Sequence, residues 1–564
     1  MMDKKFQPQR TLHEEVDTEM FGTGEVVEVE TDPDPVHHSI PTPAASTMSP
    51  LRKNLLIITV LLAAVMELID TTIVNVALSH MSGNLGATLE DTTWLITAYA
   101  IANVIIIPMT SFLTTILGRR NYYIGSIILF VVCSFMCGSA GNIWTLVAFR
   151  FFQGLGGGAL LSVSQAVIFE LFPKEKQGVA SAIFGIGVFI GPTIGPTMGG
   201  IIIDNYDWPL IFYINVPIGI LAAVSCYALL TEPAVKPKIT RIDWWGIFFL
   251  AVGIGSLQTV LERGEIDDWF DANYIIVLSL IAVAAIGAFI WWELKVPHPV
   301  VKLQVFKSKS LTIAAVLTFI TGIGMFTSVF LTPVIAQRLL NFTPTQTGFL
   351  LLPGAIIAIF GLILSGKLIQ AGVSPLLIVA AGFLCFIYFN WSMSQIDFNT
   401  SANSITVNLI FRALGMAFLT VPLTMLAVSS LPAEDIPQGA SLNNMMRQLG
   451  GAFGISGVDT YAARRVAVHR TDLIANITDT NPEFVKRING LTNYYQQKGF
   501  DLFDAHSKAL GMIEKTVVKQ SAMLSYVDTF LAIGILFAIA LPLLLLVVGA
   551  PKNKDTANMV ISDH

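Results

Sequence analysis

Three residues of this chain have side chains suited to moving a proton or a cation, and each falls where a polar group is costly. Glu67 and Asp70 lie inside NLLIITVLLAAVMELIDTTIVNVAL, residues 54–78. That run exceeds the roughly 20 apolar residues needed to cross a bilayer. Three residues apart, the two acids share one helix face. A carboxylate at such depth costs roughly 2.5–3.5 kcal/mol even on the lenient insertion scale, and is tolerated beside a water-filled path or a cation. The cation is Arg150, in FRFFQGLGGGALL at 149–161. Counted inward from Asn54, Glu67 lies about 20 Å and Asp70 about 24 Å into a core of about 30 Å. Arg150 enters from the opposite face, about 12 Å past a boundary near Asn142, which brings the three to similar depth. An arginine neighbour favours the charged acid and desolvation opposes it, so protonation can follow which side of the membrane is open. Two readings remain for Asp70, a proton-coupling site or a static ion pair. Glu67 has a second role open to it, lining a cavity that attracts cations.

The elements that must position these residues are membrane spans. The chain has 564 residues, 54% hydrophobic and only 13% charged, with a mean hydropathy of +0.67. A soluble domain carries about 25% charge, so an all-α polytopic membrane protein is expected. Fourteen apolar segments can be counted, centred near Val65, Ala102, Leu129, Gly154, Val188, Ile220, Ala251, Leu280, Gly322, Ala358, Gly382, Leu414, Ala452 and Phe537. Residues 1–50, where ten acids face Lys4, Lys5 and Arg10, carry −7 against −6 for the whole chain, so the rest is near neutral. That stretch has no apolar signal-peptide core and reads as a disordered tail. His37-His38 within it reads as solvated. Cys133, Cys137, Cys226 and Cys385 lie in apolar runs and read as reduced, buried thiols.

Lysine and arginine concentrate in alternate connections: Arg119-Arg120, Lys174 and Lys176, Lys236/Lys238/Arg241, Lys295/Lys302/Lys307/Lys309 and Lys367. The other short connections, Asp204–Trp208 and Ser394–Ser404, lack them. With Arg52-Lys53 and Lys552/Lys554 flanking the ends, the positive-inside rule places both termini in the cytoplasm. An internal repeat is also visible. Phe149-Arg150 and Phe411-Arg412 each open a segment with glycine, then LFP or LP, a charged turn and Gln-Gly. Two parallel six-helix halves leave such a trace. The reading is an N-terminal half over 51–232, a linker with two added spans over 233–300 (about Trp244–Leu261 and Tyr274–Glu293), and a C-terminal half over 301–550. Residues 465–524 form a long periplasmic loop, in part helical and amphipathic, and 551–564 a cytoplasmic tail.

The fifth span, GIGVFIGPTIGPTMGG, carries Gly191, Gly195, Gly199 and Gly200, which admit a neighbouring helix closely. Pro192 and Pro196 remove backbone hydrogen bonds and permit bending. Tight packing and a hinge between halves are both open. Arg447 falls mid-span beside Asn443, Asn444 and Gln448, suited to a central cavity or a helix contact, and Arg412 mirrors Arg150. Trp94, Tyr99, Asn103 and Gln165 are further cavity candidates, with ordinary packing the competing reading for each. The sequence has no phosphate-binding loop, nucleophile elbow, zinc-protease motif or metal-ligand spacing. Neither ATP-driven pumping, an enzyme, a cofactor nor nucleic-acid binding is expected. A membrane-embedded enzyme lacks its cluster of His, Asp and Ser, and a sensor lacks a signalling domain.

These residues resemble the major facilitator superfamily, and in particular its fourteen-span drug:proton antiporters of the EmrB/QacA type. MELIDTTIVNVAL is similar to that family's first-span motif. Arg150, Gln153 and Gly154 match its fourth-span arginine motif, for which the resemblance implies proton coupling. Gly191, Gly195, Pro196, Gly199 and Gly200 match its fifth-span antiporter motif, with Ala182 where glycine is usual. DNYDWPLIFYINVPIG, LERGEIDDWF and GNLGATLEDTTWLITAYAIANVIIIP resemble the EmrB branch. Of the superfamily's cytoplasmic gate motif only Gly118, Arg119 and Arg120 remain. Ser111 and Thr115 replace its first Gly and its Asp, which puts a gating ion pair through that Asp in question. The resemblance implies a proton-driven exporter of hydrophobic or cationic drugs in the inner membrane. It also implies a periplasmic membrane-fusion adaptor and an outer-membrane channel as partners. Export of an endogenous metabolite, such as a siderophore or fatty acid, is the alternative.

Overall fold

Apolar runs punctuated by capping residues become helices along the whole chain. In the computed structural model the described residues are 49–173, 176–231, 243–297, 299–429, 431–432 and 435–544. The acidic tail before Ser49, the Lys174 turn, the Lys236/Lys238/Arg241 stretch and the final tail lie outside them. The first half comprises α1 (Pro50–Leu85), α2 (Leu89–Leu117), α3 (Arg119–Gly138), α4 (Ile143–Glu170), α5 (Gln177–Asn205), the short α6 (Leu210–Tyr213) and α7 (Asn215–Leu229). A hairpin of α8 (Trp244–Arg263) and α9 (Asn273–Glu293) follows. The second half holds α10 (Lys309–Val334), α11 (Pro344–Gln370), α12 (Pro375–Met393), α13 (Ala402–Ser429), α14 (Ile436–Ile474), α15 (Pro482–Gln497) and α16 (Leu502–Ala540). Among the described residues there is no strand. Helix starts are set locally. Ser49 caps α1 ahead of Pro50, Asn142 caps α4, and capping boxes of Thr88 with Asp91 and Thr343 with Gln346 open α2 and α11.

Among the described residues, thirteen segments are long and apolar enough to cross a bilayer, α6 and α7 counting as one. The remaining crossing is α14, whose Asn443, Asn444, Arg447 and Asp459 lower its hydropathy. Asn443, Asn444 and Arg447 face protein rather than lipid, all three being buried. This makes fourteen crossings among the described residues.

The repeat is visible in the packing. In the first half α1 packs on α5, α4 and α7, α2 on α4, and α3 on α4 and α7. In the second half α10 packs on α14, α13 and α16, α11 on α13, and α12 on α13 and α16. The partners correspond one for one, so α4 and α13, the two arginine helices, occupy equivalent places. The halves meet along two reciprocal seams, α5 on α11 and α2 on α14, while the α8–α9 hairpin rests on α2 and α14. The hydrophobic core runs through both halves, from Leu56, Phe130 and Phe184 to Phe386 and Phe530.

Glycines set the helix spacing. A Cβ on Gly191 would lie 2.3 Å from Leu68 Cβ, and one on Gly195 2.1 Å from Thr72 Oγ1. Leu68, Ile69, Thr72 and Ile73 thus form the face of α1 that α5 covers, and Glu67 and Asp70 point the other way. Gly118 has φ of +81°, a left-handed turn that lets α3 start at the residue after it. We expect Gly195→Val to lower the thermal unfolding midpoint, at a cost of about 1–3 kcal/mol from overpacking. Gly287→Ala, where no atom lies within 4 Å of the added Cβ, should leave it unchanged. Equal midpoints for both variants in detergent would refute the packing role of the stripe.

Candidate functional site

Asp70 is at the centre of a buried network drawn from several helices. Arg150 Nη1 donates to Asp70 Oδ2 at 2.5 Å, and the pair is 1% and 0% exposed. Gln153 Nε2 donates to Asp70 Oδ1 at 3.0 Å and Asn215 Nδ2 at 2.7 Å. Ser134 Oγ accepts from Gln153 and Asn215 and donates to Phe212 O, tying α3 to the start of α7. Arg150 Nη1 also donates to Gln153 Oε1 at 2.8 Å and Nε to Leu95 O at 3.3 Å, with the guanidinium 4.2 Å from the Tyr99 ring centroid. Both carboxylate oxygens of Asp70 are therefore occupied and its charge is met.

Glu67 is held differently. Its Oε1 accepts from Tyr99 Oη at 3.2 Å and Asn103 Nδ2 at 3.0 Å. Its Oε2 is buried with no hydrogen-bond partner. The glycine run of α4 creates this arrangement. A Cβ on Gly154 would lie 2.5 Å from Tyr99 O, and one on Gly157 2.4 Å from Tyr99 Oη. Only without side chains there can α2 come close enough to lay Tyr99 and Asn103 on Glu67.

The other sequence candidates fall in several places. Gln165 Oε1 accepts from Asn444 Nδ2 at 2.6 Å, across the halves. Gln165 Nε2, both polar side-chain atoms of Asn443, and Arg447 Nη1 are buried without partners. Ser441 Oγ donates to Ile107 O at 2.5 Å, a second bond from α14 to the first half. Both contacts lie nearer the end of the bundle that bears Arg119, Arg120 and Lys367, called here the basic end. Trp94 meets the added hairpin. Its ring stacks 5.1 Å from the guanidinium of Arg263 on α8, so it fastens the hairpin. Arg119 pairs with Glu170 at the end of α4, and Arg120 donates to Tyr227 O at 2.7 Å. Both contacts are within the first half, where no Asp at 115 is required. Gly191, Gly195 and Gly199 back α1, while Gly178 near the basic end faces Gly366 of α11 across the seam.

Asn215 and Ser134 were not singled out from the sequence. Their signal was present, since each is a polar residue in an otherwise apolar run.

The Major Facilitator Superfamily matches residues 60–455 of this chain. The chain belongs to that superfamily. Within it, the chain belongs with the EmrB-type proteins. It is 32% identical to the fatty acid resistance protein FarB of Neisseria gonorrhoeae, over 86% of this chain and 93% of that protein. It is 31% identical to the multidrug export protein EmrB of Escherichia coli, over 83% and 90% of the two chains. The fold is also that of a human organic anion transporter, with TM-score 0.57 at 12% identity over 88% of this chain and all of that one. A bacterial homologue of the lysosomal transporter Spinster gives TM-score 0.53 at 13% identity, over 90% of this chain and 100% of that one.

Removing one member of a buried ion pair strands the other, at a cost of about 3–5 kcal/mol. Asp70→Asn and Arg150→Gln are each expected to lower the unfolding midpoint markedly. The double variant should recover part of the loss, because it leaves no unpaired charge. Strictly additive losses in a double-mutant cycle would show that the two do not act as a pair.

Proposed function

We propose that this protein is a proton-coupled multidrug exporter that carries hydrophobic or amphipathic compounds by alternating access. The observation that carries this reading is the acid pair beside Arg150. Asp70 is neutralised in place, whereas Glu67 keeps one buried oxygen without a partner. A carboxylate in that position gains a proton without breaking an existing bond. Glu67 is thus the member that binds and releases it, and Asp70 with Arg150 supplies the fixed field. The two seams between halves provide the surfaces on which α5 rocks against α11 and α2 against α14. The names of the EmrB and FarB relatives support export of toxic amphiphiles. FarB's name favours the second reading, export of fatty acids by the same cycle. The protein is a carrier and not an enzyme.

The basic end, with Arg119, Arg120, Lys302, Lys309 and Lys367, faces the cytoplasm of an inner-membrane protein by the positive-inside rule. At the other end α14 and α16 continue beyond the bilayer. Each has 39 residues, about 58 Å of helix against a core of about 30 Å. Their extensions are joined by Arg465 and His469 on Asp528 and by Arg470 on Glu514, with α15 packed alongside. Exposed Phe503, Tyr494 and Leu510 give this extension an apolar surface, and it is our candidate contact for a periplasmic membrane-fusion adaptor leading to an outer-membrane channel.

Everted vesicles test the coupling. With an imposed proton gradient, a lipophilic cationic dye should trigger proton release in the wild type. Glu67→Gln should abolish that release while the protein remains folded. Unchanged release from Glu67→Gln would exclude it as the proton carrier. A chain with residues 475–501 replaced by a short linker should still transport in vesicles but no longer retain an adaptor on co-purification. Retention of the adaptor by that chain would move the docking surface elsewhere.

A further inference from the structure

We propose that Arg412 is the anion-recognising residue of the transport cavity, and that it binds amphipathic carboxylates by their head group. This inference rests on the exporter reading above and names one class of its substrates. The repeat provides the argument. Arg150 of α4 reaches α1 and finds Asp70; Arg412 of α13, at the equivalent place, reaches α10 and finds Ser328, whose main-chain oxygen accepts from Nη1 at 3.3 Å. Asp70 and Ser328 lie at nearly the same depth in their helices, 20 and 19 residues from Pro50 and Lys309. The second half therefore reproduces the cation without its counter-ion. None of α10, α11, α12 and α13 contains an Asp or Glu.

An arginine stays charged in a protein, and an uncompensated charge at this depth is a functional feature by default. Arg412 also faces a cavity between the halves. Apart from Ser328, whose hydroxyl is spent on Met325 O, the walls are apolar, formed by Val188 and Pro192 of α5, Met325 and Val329 of α10, Leu351 of α11 and Met416 of α13. One fixed polar group in an apolar cleft is the usual composition of a small-molecule site. The free volume is about 30 Å³, room for one or two waters, so the site enlarges as the seam between α5 and α11 opens. A second independent observation points the same way. Arg447 on α14 is 7% exposed, pairs with no acid among the described residues, and has a buried Nη1 without a partner. Its backbone packs on Gly322 of α10, the helix that also carries Ser328. Arg412 and Arg447 of the second half are thus two buried or half-buried cations that form no ion pair among the described residues.

Full-length protein in lipid nanodiscs would be titrated with dansyl-undecanoate and with the matched dansyl-undecylammonium, empty discs being subtracted. The wild type should bind the carboxylate more tightly. Arg412→Gln should weaken carboxylate binding about tenfold or more, the loss of one charge-assisted bond, with ammonium binding unchanged. Arg412→Lys should restore much of it. Ser328→Asp, which supplies the missing counter-ion from within, should also abolish the carboxylate preference. The proposal is overturned if Arg412→Gln affects both probes equally or neither, or if Ser328→Asp leaves the preference intact. Should the wild type export a cationic dye in vesicles yet bind no undecanoate, the anion site fails and the exporter reading stands. Should it neither bind nor export any amphiphile, both fail.

Discussion

A charge inside a bilayer must be matched, because water is not there to solvate it. That constraint organises this molecule. In the first half it is met from within, by Arg150, Gln153 and Asn215 on Asp70. In the second half the equivalent arginine has only a main-chain oxygen. A nearly symmetric scaffold thus holds an asymmetric distribution of charge, with the acids on α1 and the unpaired cations on α13 and α14. Duplication supplies the scaffold, and the difference between the copies is where we propose that function resides.

Matching the charge of Asp70 requires several helices to converge on one carboxylate, and that convergence depends on residues with no side chain. Gly154 and Gly157 let α2 approach α4, and Gly191 and Gly195 let α5 approach the opposite face of α1. Helix α1 is clamped from both sides with its rotation fixed. Without a hydrophobic force between helices in lipid, close packing of small residues is a main source of association. The same stripes therefore stabilise the bundle and aim Glu67 and Asp70 inward. Packing and hinge readings of the α5 stripe are not exclusive, because Gly178 opposite Gly366 places a near backbone contact on the moving seam as well.

Much of this was legible in the sequence, for physical reasons. The hydrocarbon core imposes a length on every span, so the spans could be counted, and an acid or arginine inside one stands out against its neighbours. Depth arithmetic placed Asp70 and Arg150 at one level, and they form a pair. Side-chain direction was less legible. Trp94 was a cavity candidate, yet it lies on Arg263 of the added hairpin, a contact between residues 169 positions apart that no local pattern encodes. Asn215 and Ser134 passed as ordinary polar residues because their purpose depends on Asp70, which comes from another helix. In α14 Asn444, one of the polar residues that lower its hydropathy, bonds Gln165 of the other half, so the contact between halves itself weakened the span signal.

On the proposed cycle, little has to change at the seam between halves for the carrier to switch. Near the basic end, α14 is tied to the first half by the bonds of Ser441 to Ile107 O and of Asn444 to Gln165. The other seam, α5 on α11, holds a small apolar patch of Ala182, Leu362, Ala417 and Val421. Each such hydrogen bond contributes a net of only about 0.5–1.5 kcal/mol. Moving one elementary charge through 100 mV supplies about 2.3 kcal/mol, which is of the same order as the two bonds together. A single protonation on the α1 face is then sufficient in magnitude to bias the seam. The strong Asp70–Arg150 pair, by contrast, lies wholly within one half and has no need to break as the halves move. Strength is placed where the structure stays rigid, and weak contacts where it must yield.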